Sequence, residues 1–140
     1  MKTVVYPARI SRKKDGVWYV QFLDIESGFT HGKTLDTALV MAGDVLSALL
    51  ASRIDHGEPV PKPSARRGKG IYLIAPDAKV QAALLLRTAR RARTQGSVAK
   101  AMGTSQQAYR KLEQPRANTT IGTLQQAAKA LGKKFVIEFR

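Results

Sequence analysis

The chain predicts an α+β protein: a small antiparallel sheet backed by one helix, then an all-α unit that carries a helix-turn-helix and ends in a strand. Three observations carry this expectation. Residues 4–33 alternate apolar and polar around turn dipeptides, residues 35–50 repeat apolar side chains at helical spacing, and Thr94–Gln114 reads TQGSVAKAMGTSQQAYRKLEQ. That last stretch has the spacing of two short helices crossing at a fixed angle.

The elements follow in order. Val4, Tyr6, Ala8 and Ile10 alternate, Lys14-Asp15-Gly16 supplies a tight hairpin turn, and Trp18, Val20 and Phe22 resume the alternation. Pro7 has no N–H to give a ladder, which predicts an edge strand or a bulge. A third strand over Phe29 to Lys33 follows the Ser27-Gly28 turn. Thr34 then caps a helix with Leu35, Ala38, Leu39, Ala42, Leu46, Leu49 and Leu50 on one stripe, and Gly57 ends it. Asp36 falls in its first turn, where a negative charge suits the helix dipole, so the residue reads as structural rather than catalytic.

From Glu58 the text becomes EPVPKPSARRGKG, which predicts an extended and then flexible connector. The expected organisation is residues 1–64 as a first domain, 65–75 as linker and strand, and 76–140 as a second domain. Ile71 to Ile74 form the strand, and the sequence does not say which sheet receives it. Pro76-Asp77 opens a helix through VQAALLLRTARRAR. Beyond the motif, Ile121, Leu124, Ala127, Ala128 and Leu131 form an apolar stripe stopped by Gly132, and FVIEF alternates like a strand.

Within the motif each anchor has a physical task. Ala99 is the small residue where the helices touch, Gly103 takes positive φ at the turn, and Tyr109 and Leu112 anchor the second helix. Val98 and Met102 turn the first helix's apolar side inward, while Thr94 and Ser105 stand at N-cap positions. Gln106, Gln107, Arg110 and Lys111 then lie on the outer side of the second helix. A glutamine amide reads adenine with two hydrogen bonds and a lysine donates to guanine, so Gln106, Gln107 and Lys111 are the expected base readers. Thr94, Gln95, Ser105, Arg110, Arg116 and Asn118 are the expected contacts to the DNA backbone. The competing interpretation is a solvated polar face on a helical hairpin that only packs.

Charge weighs against that alternative. The net charge is +14, yet residues 1–64 carry eight Lys and Arg against seven Asp and Glu, whereas residues 65–140 carry sixteen against three. Excess of +13 in the half that holds the motif is the footprint of a phosphate-binding surface. Basic residues also suit RNA or an anionic membrane; the motif selects DNA. The absence of cysteine excludes disulfides and thiolate metal sites and fits a reducing cytoplasm. No apolar run is expected to reach the ~18 residues that span a bilayer, so no membrane partner is expected.

No catalytic residue, metal site or cofactor is expected. A β-β-β-α order is shared with the opening of RNase H-like nucleases, but those need converging carboxylates and the first strand, TVVYPARIS, has none. Asp24, Glu26 and Asp44 are poorly placed to converge. His31 and His56 offer no ligand pair, and phosphate loops, nucleophile elbows and paired His and Glu on a helix are lacking.

Taken together, GVWYVQFLDI, FTHGKTLDTALVMAGDVLSALL, the Pro-rich EPVPKPS, the strand IYLIAP and the Cro or phage-repressor-type helix-turn-helix resemble HicB-type antitoxins over essentially the whole chain. The resemblance implies an N-terminal domain like a truncated, inactive RNase H fold that covers the active face of a HicA-like, mRNA-cleaving toxin, and a C-terminal domain that represses the operon. It also implies that Glu113 closes the recognition helix by pairing with Arg87 or Arg90. The chain departs from the family in the turn Leu23-Asp24-Ile25-Glu26-Ser27-Gly28, in a helix acidic only at Asp36, Asp44 and Asp55, in Tyr109 where an aliphatic residue is usual, and in Gly96, which lowers helix propensity by about 1 kcal/mol relative to alanine.

The leading expectation is therefore an antitoxin that also represses its own operon; the alternative is a stand-alone transcriptional regulator whose first domain senses a ligand or oligomerises. A homodimer or higher assembly is expected, because one recognition helix seldom supplies enough affinity. Phe135, Ile137 and Phe139 would line one face of a terminal strand that pairs with its two-fold copy or, alternatively, with Ile71–Ile74 of the same chain.

Overall fold

The structure, a computed structural model, describes residues 4–139. Its contacts divide the chain into two compact units that meet between Ala78 and Lys79.

The first unit is a four-stranded antiparallel sheet with one helix. Strands β1 (Tyr6–Arg12), β2 (Trp18–Phe22), β3 (Phe29–Gly32) and β4 (Ile71–Ile74) lie in the order β3-β2-β1-β4, and α1 (Leu35–Asp55) connects β3 towards β4. Alternation sends Tyr6, Ala8, Ile10, Val20, Phe22 and Ile74 into the core, which α1 completes with Ala38, Ala42, Leu46, Leu50 and Ile54. Thr34 caps the helix, its hydroxyl accepting from the Thr37 N–H at 3.1 Å.

Closeness at one point fixes how helix and sheet meet. A Cβ on Gly32 would stand 2.5 Å from the Ala38 nitrogen and 2.8 Å from its Cα, so the α1 backbone rests directly on β3.

Three expectations change here. The first strand is interior, since β1 pairs with β2 on one side and β4 on the other. Pro7 is tolerated because its carbonyl accepts from the Leu23 N–H at 3.1 Å, just past the end of β2, so the missing donor falls at the last rung of the ladder. The Pro-rich stretch is no free linker either. Tyr6 Oη donates to the Pro61 carbonyl at 2.6 Å, Arg53 Nη1 to the Pro59 carbonyl at 3.1 Å, and the Ser64 N–H to Asp24 Oδ2 at 2.8 Å. These bonds strap the segment to the first unit, and β4 then joins that unit's sheet. Finally, α1 with its 21 residues is long and apolar enough to cross a membrane by length and composition, contrary to the expectation that no run is; its buried stripe is packed into this core.

The second unit is helical: α2 (Ala78–Arg90, its first residue in the first unit), α3 (Gln95–Met102), α4 (Gln106–Leu112) and α5 (Ile121–Ala130). Leu86, Val98, Ala99, Tyr109, Ala127 and Leu131 form its core, with Met102, Leu112 and Leu124 packed against them. Ile121 of the predicted stripe stays exposed. Residues 133–139 form no strand in the single chain. A strand needs a ladder partner, and Ile71–Ile74, the same-chain partner considered, pairs with β1 on one side and with no described strand on its other, outer side.

Candidate nucleic-acid interface

The interface is built from the turn outward. Gly103 sits at φ +71°, its N–H donating to the Lys100 carbonyl at 3.1 Å while the Thr104 N–H reaches back to the Ala99 carbonyl at 3.0 Å. This closure ends α3 and re-aims the chain into α4. The caps are those the sequence indicates: the Thr94 hydroxyl accepts from the Ser97 N–H at 3.0 Å and the Ser105 hydroxyl from the Ala108 N–H at 3.1 Å. Ala99, buried, gives the close contact between α3 and its neighbours.

On α4 the division of faces is complete. Tyr109 is buried and Leu112 half-buried, whereas Gln106, Gln107, Arg110 and Lys111 are all exposed. Thr94, Ser105, Arg116 and Asn118 are exposed as well. A Cβ on Gly96 would lie 3.3 Å from Oε1 of the exposed Gln106, so a larger residue there would only require that side chain to shift slightly.

Beneath this surface lies a buried charged group. Glu113, 2% exposed, receives Arg90 Nε at 2.7 Å on Oε2 and Arg90 Nη2 at 3.0 Å on Oε1, a bidentate pair. Gln95 Nε2 adds a third donor at 3.1 Å. Burial by itself would raise the Glu113 carboxyl, but the hydrogen bonds from Arg90, with Tyr109 and Gln95, outweigh it and hold the group below its ordinary value. The Tyr109 hydroxyl is buried beside the pair without a hydrogen bond of regular geometry, and burial first, then Glu113, pushes its phenol far up. The pairing of Glu113 with α2 was legible, narrowed now from Arg87 or Arg90 to Arg90. The expected phosphate contact at Gln95 rests on the free N–H groups at the start of α3, and its side-chain amide turns inward to Glu113; no sequence pattern distinguishes an inward from an outward glutamine at a helix start.

Phe135 is half-buried, whereas Ile137 and Phe139 are exposed, so the three are not gathered into one buried cluster in the single chain. Among the described residues no three His, Asp or Glu side chains come together as metal ligands.

A tight helix-turn-helix with a polar, basic outer face, joined to a sheet-and-helix unit, defines a two-part protein of the DNA-binding class. Comparison with known proteins makes this specific. Residues 5–81 match the family model of the HicB-like antitoxin of bacterial toxin-antitoxin systems, and residues 86–137 match a helix-turn-helix family model. The chain is 32% identical over 134 residues, 94% of each chain, to Antitoxin HicB 2 of Photorhabdus laumondii subsp. laumondii. It is 29% identical over 130 residues, 92% of this chain and 94% of the relative, to Antitoxin HicB of Escherichia coli K12. The chain belongs to the HicB antitoxin family, as its sequence motifs indicate.

Proposed function

We propose that this protein neutralises a HicA-like, mRNA-cleaving toxin through its first unit and represses its own operon through its second. One observation carries the reading: a HicB-type domain and a helix-turn-helix stand in one chain, and relatives aligned over nearly its whole length are named antitoxins. On this reading the protein acts by binding, in the cytoplasm, and needs no cofactor.

Toxin binding belongs to the unit that runs to Ala78, because strap and β4 complete its sheet. Operator reading falls to Gln106, Gln107 and Lys111. Thr94 and Ser105, whose oxygens already accept cap bonds, keep their hydroxyl protons for phosphates, and Arg110, Arg116 and Asn118 flank the groove. For Gln95 the backbone N–H at the start of α3 takes the phosphate role, its side chain being turned to Glu113. A two-fold dimer forms through the tail: Val136, Ile137 and Phe139 are exposed, Phe139 to 97%, and pairing with a copy would give these side chains cover and the backbone a ladder.

Gln107→Ala should weaken binding to the protein's own promoter by about 1 to 3 kcal/mol and leave binding to unrelated duplex nearly unchanged. Fluorescence anisotropy on both duplexes measures this. Equal losses on the two would remove α4 from base reading.

A further inference from the structure

We propose that the exposed face of the first unit's sheet binds single-stranded RNA. This goes beyond the toxin and operator reading, and either can fail without the other.

The register makes two rows on that face. Arg9, Gln21 and Phe29 lie across β1, β2 and β3, and Ser11, Tyr19 and His31 form the next row. Their neighbours in sequence, Ile10, Val20 and Phe22, fill the core on the other side. Phe29 is 61% exposed and Tyr19 39%, and Arg9, Gln21 and His31 are exposed with them. The Tyr19 ring is held in place. Its hydroxyl donates to Asp15 Oδ2 at 2.7 Å, and its centroid lies 6.1 Å from that of His31.

Charge is segregated around this face in a way that the near-zero balance of residues 1–64 conceals. Arg12, Lys13, Lys14 and Lys33 stand at the end of the sheet where β1 and β3 finish, all exposed, and outnumber Asp15 of the same turn. Lys69 comes to the same end, since the Ile10 N–H donates to the Gly70 carbonyl at 2.9 Å and Ile71 pairs with Arg9. Asp24 and Glu26 follow β2 at the opposite end.

Exposed rings on a sheet next to a basic rim suit one kind of occupant. Stacked duplex hides the faces of its bases, whereas an unpaired strand offers them to aromatic side chains while its phosphates track the positive charge. A basic protein partner would be repelled from the rim. Gln21, between Arg9 and Phe29, both donates and accepts, as a ribose 2′-hydroxyl requires.

The test uses the full chain, 15N-labelled, titrated with unlabelled hexameric oligoadenylate. Amide shifts should concentrate in residues 9–21 and 29–31; shifts confined to 94–118 would overturn the proposal. By anisotropy, Phe29→Ala and Tyr19→Ala should each weaken RNA binding about 5- to 100-fold, and wild-type affinity in both would refute it. Arg9→Gln, which leaves the rings in place, should weaken binding severalfold and flatten its salt dependence. The deoxy hexamer should bind at least fivefold more weakly, and equal binding would defeat the assignment to RNA. If Phe29→Ala keeps RNA binding but loses a protein toxin, the face belongs to that protein and the proposal falls.

Discussion

Glu113 shows what a single residue contributes to this motif. A carboxylate that is 2% exposed survives because three donors satisfy it, and those donors come from the end of α2 and the start of α3. Glu113→Gln leaves the Arg90 charge without its partner. A wholly buried pair broken in this way costs about 3 to 5 kcal/mol; Arg90 keeps 20% side-chain exposure, so the expected loss is about 2 to 3 kcal/mol, read by urea denaturation. Wild-type stability in the variant would contradict the account. The sign of the pH effect follows: the folded carboxyl titrates below its unfolded value of about 4.3, so its contribution is complete above that pH and is lost as pH falls through the lower folded value. Acid unfolding monitored in Glu113→Gln should lack this component.

At the scale of elements, Gly32 governs how α1 lies on the sheet. Gly32→Ala places a methyl group against the Ala38 backbone, which has no rotamer with which to yield, so destabilisation of about 2 to 3 kcal/mol is expected in thermal melts monitored by circular dichroism. An unchanged transition would show that helix and strand do not touch there. Strands, turns and caps were legible because each is encoded within a few residues: alternation from Tyr6 to Ile10, Asp15-Gly16, Thr34, Gly103, Ser105. The interior place of β1 and the strapping of 59–64 were not. Both depend on partners far away in sequence, Ile71–Ile74 for β1, and Tyr6, Arg53 and Asp24 for the strap. Composition marks Pro59, Pro61 and Pro63 as extended; it does not say against what. In the site, the outward face of α4 could be read from helical spacing, whereas the inward turn of Gln95 depends on a buried acid eighteen residues away.

For the whole molecule, charge and architecture divide the labour. Of the +14, most resides in the unit with the motif, and the tail of that unit leaves Val136, Ile137 and Phe139 exposed, as the proposed pairing with a copy requires. If the tail holds the proposed dimer, removing Lys134–Arg140 should leave a monomer by analytical ultracentrifugation and abolish cooperative binding to the promoter. A truncated protein that remains dimeric would place the contact elsewhere. The claim on which the account rests most heavily is that one chain both silences a toxin and represses a promoter, through separate units. Its most direct measurement is growth of cells induced for the toxin-type product of the adjacent reading frame, together with either the intact protein or its Gln107→Ala, Lys111→Ala variant, alongside a promoter reporter. Both forms should restore growth and only the intact one should repress the reporter; cells that stop growing whichever form is present would contradict the antitoxin reading.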